Sequence, residues 1–205
     1  MLVQKYKEML SEKSVIRQLS EFAGARGREI GYENVFDFSL GNPSVPVPRE
    51  FTEEMIHMLV SEEPAFLHGY SPSLGITQVR EAVAASLERR FGIPYRTEHI
   101  FMASGAAGAL AHAFRLVAEP GDEIVAFAPF FPEYRPYVDL MGARLKVVPA
   151  DTESFQINFE ALEELLSPRV TAVLINTPNN PSGIAYSTAT LKKLAELLRD
   201  KSEEY

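Results

Sequence analysis

The chain has 205 residues, with 28 acidic and 20 basic side chains, so its formal net charge is -8 at neutral pH. Its 46% hydrophobic and 23% charged residues are typical of a globular protein with a sizeable core, which excludes disordered, collagenous and coiled-coil chains. The absence of cysteine excludes disulfides, thiolate zinc sites and thiol nucleophiles. The acidic charge, without a basic stripe, argues against nucleic acid as a partner. The lack of a signal peptide and of a long apolar run predicts no membrane association and a cytoplasmic protein.

The N-terminal part of the chain predicts helices separated by loops rich in glycine and proline. An amphipathic helix is expected over residues 2–22, after which Gly24, Gly27 and Gly31 interrupt the pattern. A short strand is expected over residues 35–40, and helices over residues 51–59 and 76–91.

From residue 99 onward, the pattern alternates between strands and helices. Strands are expected at 100–102, 123–127, 144–148 and 170–175, and helices at 106–118, 133–141, 159–166 and 188–198. This alternation predicts a three-layer α/β/α arrangement in which helices cover both faces of a mainly parallel sheet.

Residues 104–109 (Ser-Gly-Ala-Ala-Gly-Ala) connect a predicted strand to a predicted helix. The first N–H groups of a helix lack intrahelical partners and carry the positive end of its dipole, so a phosphate suits this turn. The alternative interpretation is that this segment is only a tight turn, whose small residues allow the strand and the helix to pack closely. The segment is not a dinucleotide fingerprint, because Ala107 stands where that motif needs glycine. A serine-hydrolase elbow is excluded because Met102 and Ala106 occupy its two glycine positions.

Two further loops follow predicted strands, at the carboxyl ends where open α/β sheets bind ligands. Residues 128–134 (Ala-Pro-Phe-Phe-Pro-Glu-Tyr) predict either an aromatic ring that covers a planar ligand or rings that pack in the core. Residues 176–183 (Asn-Thr-Pro-Asn-Asn-Pro-Ser-Gly) offer amide donors and acceptors on a stiff backbone, or else a rigid turn that caps the last helix. A cis Asn180–Pro181 bond is compatible with this sequence.

Two loops nearer the N-terminus carry further glycine, proline and tyrosine, at residues 41–43 and 68–75. The four histidines of the chain show no metal-ligand spacing, so no metal site is predicted; they are His57, His68, His99 and His112.

These four motifs, in this order, resemble those of the class I and II aminotransferases, pyridoxal-phosphate enzymes of the aspartate aminotransferase fold, fold type I. The resemblance covers about residues 35–198 and is most specific at 179–183 (Asn-Asn-Pro-Ser-Gly) and 70–76 (Tyr-Ser-Pro-Ser-Leu-Gly-Ile). It implies pyridoxal 5'-phosphate as cofactor and transfer of an amino group between an amino acid and a 2-oxo acid. It also implies an N-terminal arm and part of the small domain at 1–45, and a truncated large domain at 46–205.

The resemblance assigns a role to each matching residue of the cofactor site. Gly105, Ala106 and Ala107 match the turn whose N–H groups hold the cofactor phosphate. Phe131 matches the ring that stacks on the pyridine. Asn180 matches the asparagine that hydrogen-bonds the pyridine 3-oxygen and contacts the substrate carboxylate.

Two other matches concern the substrate and the assembly. Gly41 matches a glycine beside the substrate carboxylate. Tyr70 matches a tyrosine that reaches the cofactor phosphate of the neighbouring subunit, which implies a homodimer.

The family's Schiff-base lysine lies beyond its Asn-Pro motif, as do the aspartate that pairs with the pyridine nitrogen and the arginine that binds the α-carboxylate. We expect all three beyond Tyr205, because no lysine of this chain lies in the Ser/Thr-rich context that the family's lysine occupies. The chain is therefore interpreted as the N-terminal half of such an enzyme, inactive alone and without a catalytic residue of its own.

Two alternatives to an aminotransferase remain at this point. A β-lyase or decarboxylase of the same fold would share all the motifs described above. A non-catalytic phosphate- or nucleotide-binding α/β module would account for the glycine- and alanine-rich turn and for the missing lysine.

Overall fold

The computed structural model describes Gln4, Lys7 and residues 15–41 and 45–204. It divides the chain into two compact units, Met1–Tyr70 and Ser71–Tyr205. The domain boundary expected after residue 45 from the resemblance stays a prediction. No helix in the described part of the chain is long and apolar enough to cross a membrane.

The described part of the first unit is helical, with irregular connections. It contains α1 (Val15–Ile30), a 3-10 turn (Tyr32–Asn34), α2 (Arg49–Ser61) and α3 (Pro64–His68). The helix predicted over 51–59 is confirmed by α2, whereas most of residues 2–14 and all of 42–44 lie outside the described residues.

The prediction that glycines interrupt the first helix is wrong for two of the three. Helix α1 continues through Gly24 and Gly27 and ends just before Gly31, whose φ is +89°. Gly27 is buried where a Cβ would lie 2.5 Å from a ring carbon of Tyr32. The ring thus packs in the space that the missing side chain leaves, which offsets the low helix propensity of glycine.

Two predicted strands, 35–40 and 100–102, are irregular in the structure. A strand is stabilised by hydrogen bonds to a neighbouring strand, and no strand of the described residues pairs with either segment. Phe36 and Phe38 are exposed, as are Phe101 and Met102. An apolar pattern alone therefore did not make these segments strands.

The second unit contains the alternating elements that the sequence predicted. They are α4 (Thr77–Phe91), a 3-10 turn (Thr97–His99), α5 (Gly105–Val117), β1 (Glu123–Phe127), α6 (Tyr134–Asp139), β2 (Arg144–Val148), α7 (Phe159–Leu165), β3 (Val170–Leu174) and α8 (Thr188–Glu204). Helix α8 extends six residues further than predicted, and its charged last turn is supported by an ion pair between Lys201 and Glu204.

The three strands form one parallel sheet in the order β2-β1-β3, so β1 is central and all its residues are buried. Successive residues of a strand face opposite sides of the sheet. On one face, Val125 and Phe127 pack with Leu162 of α7 and Leu194 of α8. On the other face, Ile124 packs in a separate cluster with helices α5 and α6. This arrangement confirms the predicted α/β/α layers.

The direction of α5 decides where its N-terminus lies. Phe114 of α5 packs against Ile124 of β1, and only residues 118–122 connect the two elements. This contact places the C-terminal end of α5 beside the start of β1. A helix that runs back along the sheet from there, with 13 residues spanning about 20 Å against about 16 Å for the five residues of β1, would have its N-terminus toward the carboxyl edge, where the loops after β1 and β3 begin.

Candidate functional site

The start of α5 presents free backbone donors. Gly105 has φ +69° and donates its N–H to the carbonyl of Ala103 at 3.0 Å. The N–H groups of Ala106 and Ala107 have no hydrogen-bond partner among the described residues, and both residues are exposed. Ser104 occupies the cap position, but its side chain makes no capping hydrogen bond. Unpaired donors at the positive end of a helix dipole suit an anion.

The segment that leads into this turn is held by α4 and the loop before it. Nη1 of Arg80 donates to the carbonyl of Thr97 at 3.2 Å. A Cβ at Gly75, whose φ is +90°, would lie 2.5 Å from Cγ of Met102, so the loop passes directly against that side chain. The contacted residues, Thr97 and Met102, lie eight and three positions before Gly105. Residues 70–76, the loop of the family resemblance, therefore include a glycine that packs against the segment leading into the candidate anion-binding turn.

The loop after β1, residues 128–133, carries the aromatic ring predicted to face a ligand. Phe131 is partly exposed and makes an edge contact with Tyr134, with ring centroids 5.7 Å apart. Phe130 stacks on the same Tyr134 ring at 6.3 Å. Burial, with a smaller contribution from the charge of Tyr137, raises the pKa of Tyr134 above its ordinary value, so this supporting ring is neutral at physiological pH. Phe131 is thus held from one side and keeps part of its surface accessible.

The loop after β3, residues 175–187, is a tight turn with several internal hydrogen bonds. The N–H of Asn180 donates to Oδ1 of Asn176 at 2.8 Å, and the N–H of Gly183 donates to the carbonyl of Asn179 at 2.7 Å. The Asn180–Pro181 bond is cis. The side chain of Asn180 is exposed and has no partner among the described residues, so its amide is available to a ligand.

Asn179 connects these two loops. Its Nδ2 donates to the carbonyl of Pro129 at 2.8 Å and to Oγ of Ser182 at 2.9 Å. The first bond joins residues 50 positions apart in the chain and brings the backbone beside Phe131 next to the backbone of Asn180. The sequence pattern places Asn179 in a motif but predicts no role for it, and the doubled asparagine is its one signal.

A small cavity lies between the same two loops, and burial raises the pKa of Tyr186 in its wall. The cavity is lined by side chains from both loops and from the strands that precede them, including Phe130, Asn176, Asn179 and Tyr186.

The remaining two predicted site residues belong to the first unit. Gly41 is exposed, and a Cβ there would meet nothing within 4 Å. Tyr70 is fully exposed, and its hydroxyl has no hydrogen-bond partner within the described ranges. In the part of the chain that the structure describes, no three His, Asp or Glu side chains form a group that could hold a metal ion.

The fold and these loops define a class of protein: a three-layer α/β protein with a candidate ligand site at the carboxyl edge of a parallel sheet. Comparison with known proteins narrows this class to one family. The chain belongs to the class I and II aminotransferases, because the model of that family, "Aminotransferase class I and II", matches residues 33–202. Members of this family are generally pyridoxal-phosphate enzymes.

Solved structures of aminotransferases share the fold. A crystal structure of an aminotransferase from Eubacterium rectale has a TM-score of 0.93 and 42% identity, covering 100% of this chain and 52% of that one. The aspartate aminotransferase of Thermotoga maritima has a TM-score of 0.85 and 30% identity, covering 98% and 52%. These likenesses confirm fold type I.

Curated relatives agree with this result. The aspartate aminotransferase of Thermotoga maritima is 32% identical over 171 residues, which are 83% of this chain and 44% of the relative. A probable N-acetyl-LL-diaminopimelate aminotransferase of Bacillus subtilis is 28% identical over 175 residues, 83% and 43%. The chain spans less than half the length of these relatives.

Proposed function

We propose that this chain forms the cofactor-binding part of a pyridoxal-phosphate-dependent aminotransferase that moves an amino group between an amino acid and a 2-oxo acid. The observation that carries the proposal is that the loops of Phe131 and Asn180 follow neighbouring parallel strands and are joined by the hydrogen bond from Asn179 to Pro129. The groups that we propose around one ligand are the unpaired N–H groups of Ala106 and Ala107, the ring of Phe131 and the unpartnered amide of Asn180.

The chemistry of these donors fits the cofactor. The N–H groups at the start of α5 would bind its phosphate, and Gly105 leaves open space there because a Cβ would meet nothing within 4 Å. Phe131 would cover one face of the pyridine ring. The Asn180 amide would donate to the ring 3-oxygen and to the substrate carboxylate.

When bound, the cofactor supplies a carbonyl that accepts the amino group and a ring that withdraws electrons from the reacting carbon. The residues of this chain would bind and orient the reactants, and the phosphate contacts would hold the ring at a fixed depth. None of these residues has a proposed role in proton transfer.

We also propose roles for two residues of the first unit, one of which acts in a homodimer. Gly41 would lie beside the substrate carboxylate, and Tyr70 would reach the phosphate site of a second subunit in a homodimer. The full exposure of Tyr70 and its unpartnered hydroxyl support that role. Residues 46–205 would belong to the large domain, and 1–45 to an arm and part of the small domain. A cytoplasmic location and a role in amino acid biosynthesis belong to the same proposal.

The cofactor proposal is tested by titrating the chain with 4'-deoxypyridoxine 5'-phosphate. This probe has the ring, the 3-hydroxyl and the phosphate but no aldehyde, so it cannot react with surface lysines. We expect saturable binding that is lost when 4'-deoxypyridoxine without phosphate is used. No binding, or binding that does not depend on the phosphate, would refute the proposal. Binding of adenine nucleotides in place of the probe would favour a nucleotide-binding module instead.

The reaction is tested in a protein that carries this chain together with the remaining length of the family. We expect conversion of an amino acid to its 2-oxo acid only when a second 2-oxo acid is present as amino acceptor. Formation of pyruvate and ammonia from one amino acid, without an acceptor, would show a lyase.

A further inference from the structure

We propose that Asn179 is a positioning residue that sets the spacing between Phe131 and Asn180 and thereby the fit of the cofactor ring between them. This inference rests on the proposed function, and it adds a residue to which neither the family resemblance nor the comparisons give a role.

The contacts of Asn179 divide into two sets. Its backbone is bound within its own loop, since its N–H donates to the carbonyl of Ile184 at 2.9 Å and its carbonyl accepts from Gly183 at 2.7 Å. Its side chain reaches out of that loop to the carbonyl of Pro129 at 2.8 Å. Because the backbone is fixed at both sides, the amide is an anchored donor, and its direction is determined by the turn.

This hydrogen bond can affect the spacing of the site because its two ends lie next to the site residues in the sequence. Pro129 precedes Phe131 by two residues, and Asn179 directly precedes Asn180. One amide therefore links the backbone that carries the ring to the backbone that carries the polar contact. Two other features hold these loops near each other: the pairing of β1 with β3, which ends at Ala126 and Leu174, and an edge contact between the rings of Phe127 and Tyr186, with centroids 6.2 Å apart.

A planar ligand requires a narrow range of distances on its faces. Atoms in van der Waals contact are about 3.5–4 Å apart, and a gap larger by about 1 Å already loses up to half of the attraction. If the loops separate, a ring cannot contact Phe131 and donate to or accept from Asn180 at the same time. Inorganic phosphate would use only the N–H groups of α5, so its binding should not depend on this spacing.

The test compares the binding of two probes, the pyridoxine phosphate and inorganic phosphate, to variants of Asn179. Asn179→Ala removes both hydrogen bonds, and Asn179→Asp keeps the side-chain volume but cannot donate to Pro129. We expect both variants to bind 4'-deoxypyridoxine 5'-phosphate about three- to tenfold more weakly, which corresponds to the loss of one net hydrogen bond. Binding of inorganic phosphate should change by less than about twofold.

Ser182→Ala is the matched control, because it removes the other hydrogen bond of the same amide and leaves the bond between the loops in place. It also removes a long bond within the turn, from the N–H of Ile184 to Oγ of Ser182 at 3.4 Å. We expect it to bind both probes almost as the parent chain does. A loss as large as that of Asn179→Ala would show that stability of the loop, and not the spacing, is what matters, and would overturn the proposal.

A second arm shows whether Asn179 acts through the site residues. In a chain that carries Phe131→Leu and Asn180→Ala together, adding Asn179→Ala should have no further effect on binding of the pyridoxine probe, because residues that act as a unit are non-additive. A full additional loss would overturn the inference, as would unchanged binding in Asn179→Ala or equal weakening of both probes.

The outcomes separate this inference from the proposed function. If the parent chain binds neither probe, the proposed function fails and this inference with it. If the parent chain binds the pyridoxine probe and the Asn179 variants bind it equally well, only the positioning role fails. Loss of the native circular dichroism spectrum in both Asn179 variants would assign the residue to folding and overturn the inference.

Discussion

Replacing Ala107 by glutamate places a carboxylate in the first turn of α5, at one of the two residues whose N–H groups have no partner among the described residues. The same charge affects the two properties of this turn in opposite directions. It should weaken the binding of a phosphate, because like charges repel. It should leave the helix as stable as before or stabilise it, because an anion near a helix N-terminus is favourable by about 0.3–1 kcal/mol.

The size of the loss can be estimated from Coulomb's law. Two unit charges about 6 Å apart repel by roughly 0.7 kcal/mol in water and by roughly 2.8 kcal/mol at an effective dielectric constant of about 20. A phosphate ester carries about 1.5 to 2 negative charges at neutral pH. Because Ala107 is exposed, we use the lower value, which gives at least about 1 kcal/mol, or about fivefold weaker binding.

The assay is calorimetric titration with 4'-deoxypyridoxine 5'-phosphate at low ionic strength, where screening is weak, together with thermal unfolding. Ala113→Glu is the matched control, since Ala113 is exposed on the same helix but lies away from its first turn. We expect weaker binding for Ala107→Glu alone, with an unfolding temperature at or above that of the parent. Equal binding by both variants would refute the assignment of the anion site to the start of α5.

Four further predictions follow from the site and its supports. Phe131→Leu should weaken binding of the pyridoxine probe. In a protein that carries this chain together with the remaining length of the family, Asn180→Ala should lower turnover while changing the unfolding temperature little. Gly75→Ala should destabilise the chain by about 1–3 kcal/mol in urea unfolding, because φ is +90° there and the new Cβ would meet Met102. Because burial holds the pKa of Tyr134 above its ordinary 10.0, the stability that this group contributes is complete below about pH 10 and is lost as pH rises through the higher folded value.

Each of these predictions has an outcome that contradicts it. Unchanged binding of the pyridoxine probe by Phe131→Leu would show that this ring only packs in the core. Unchanged turnover of Asn180→Ala would refute the role proposed for Asn180. Gly92→Ala is the control for the glycine, since Gly92 also has positive φ but open space around it, so only the cost of the backbone strain should appear. For the tyrosine, Tyr134→Phe should reduce the loss of thermal stability above about pH 10. An unreduced loss would show that Tyr134 is not its source.

The local elements of the second unit could be predicted from the sequence because their signals are local. Strand 144–148 was predicted with the bounds that the structure has, and helices 106–118 and 159–166 were predicted to within a residue at either end. Apolar spacing and strand–turn–helix alternation depend on neighbours in the chain, and these patterns also place the loops at carboxyl ends of strands.

The errors at the two unpaired segments and at Gly27 concern contacts that composition and spacing do not reveal. Residues 35–40 and 100–102 have the composition of strands, but pairing requires a partner that composition does not reveal. Gly27 was expected to interrupt a helix, and the space it leaves is filled by Tyr32, which lies outside that helix.

The order of the motifs, the family and the residue types of the loops after the strands could be predicted from the sequence. These features depend on backbone propensity and side-chain chemistry, which each residue type carries by itself. Only the tertiary structure decided how the loops are joined. The hydrogen bond from Asn179 to Pro129 crosses 50 residues and depends on two strands being paired, and the contact of Gly75 with Met102 depends on how one segment crosses another. Such contacts form only once the chain has folded, because their geometry comes from the packing of the whole unit.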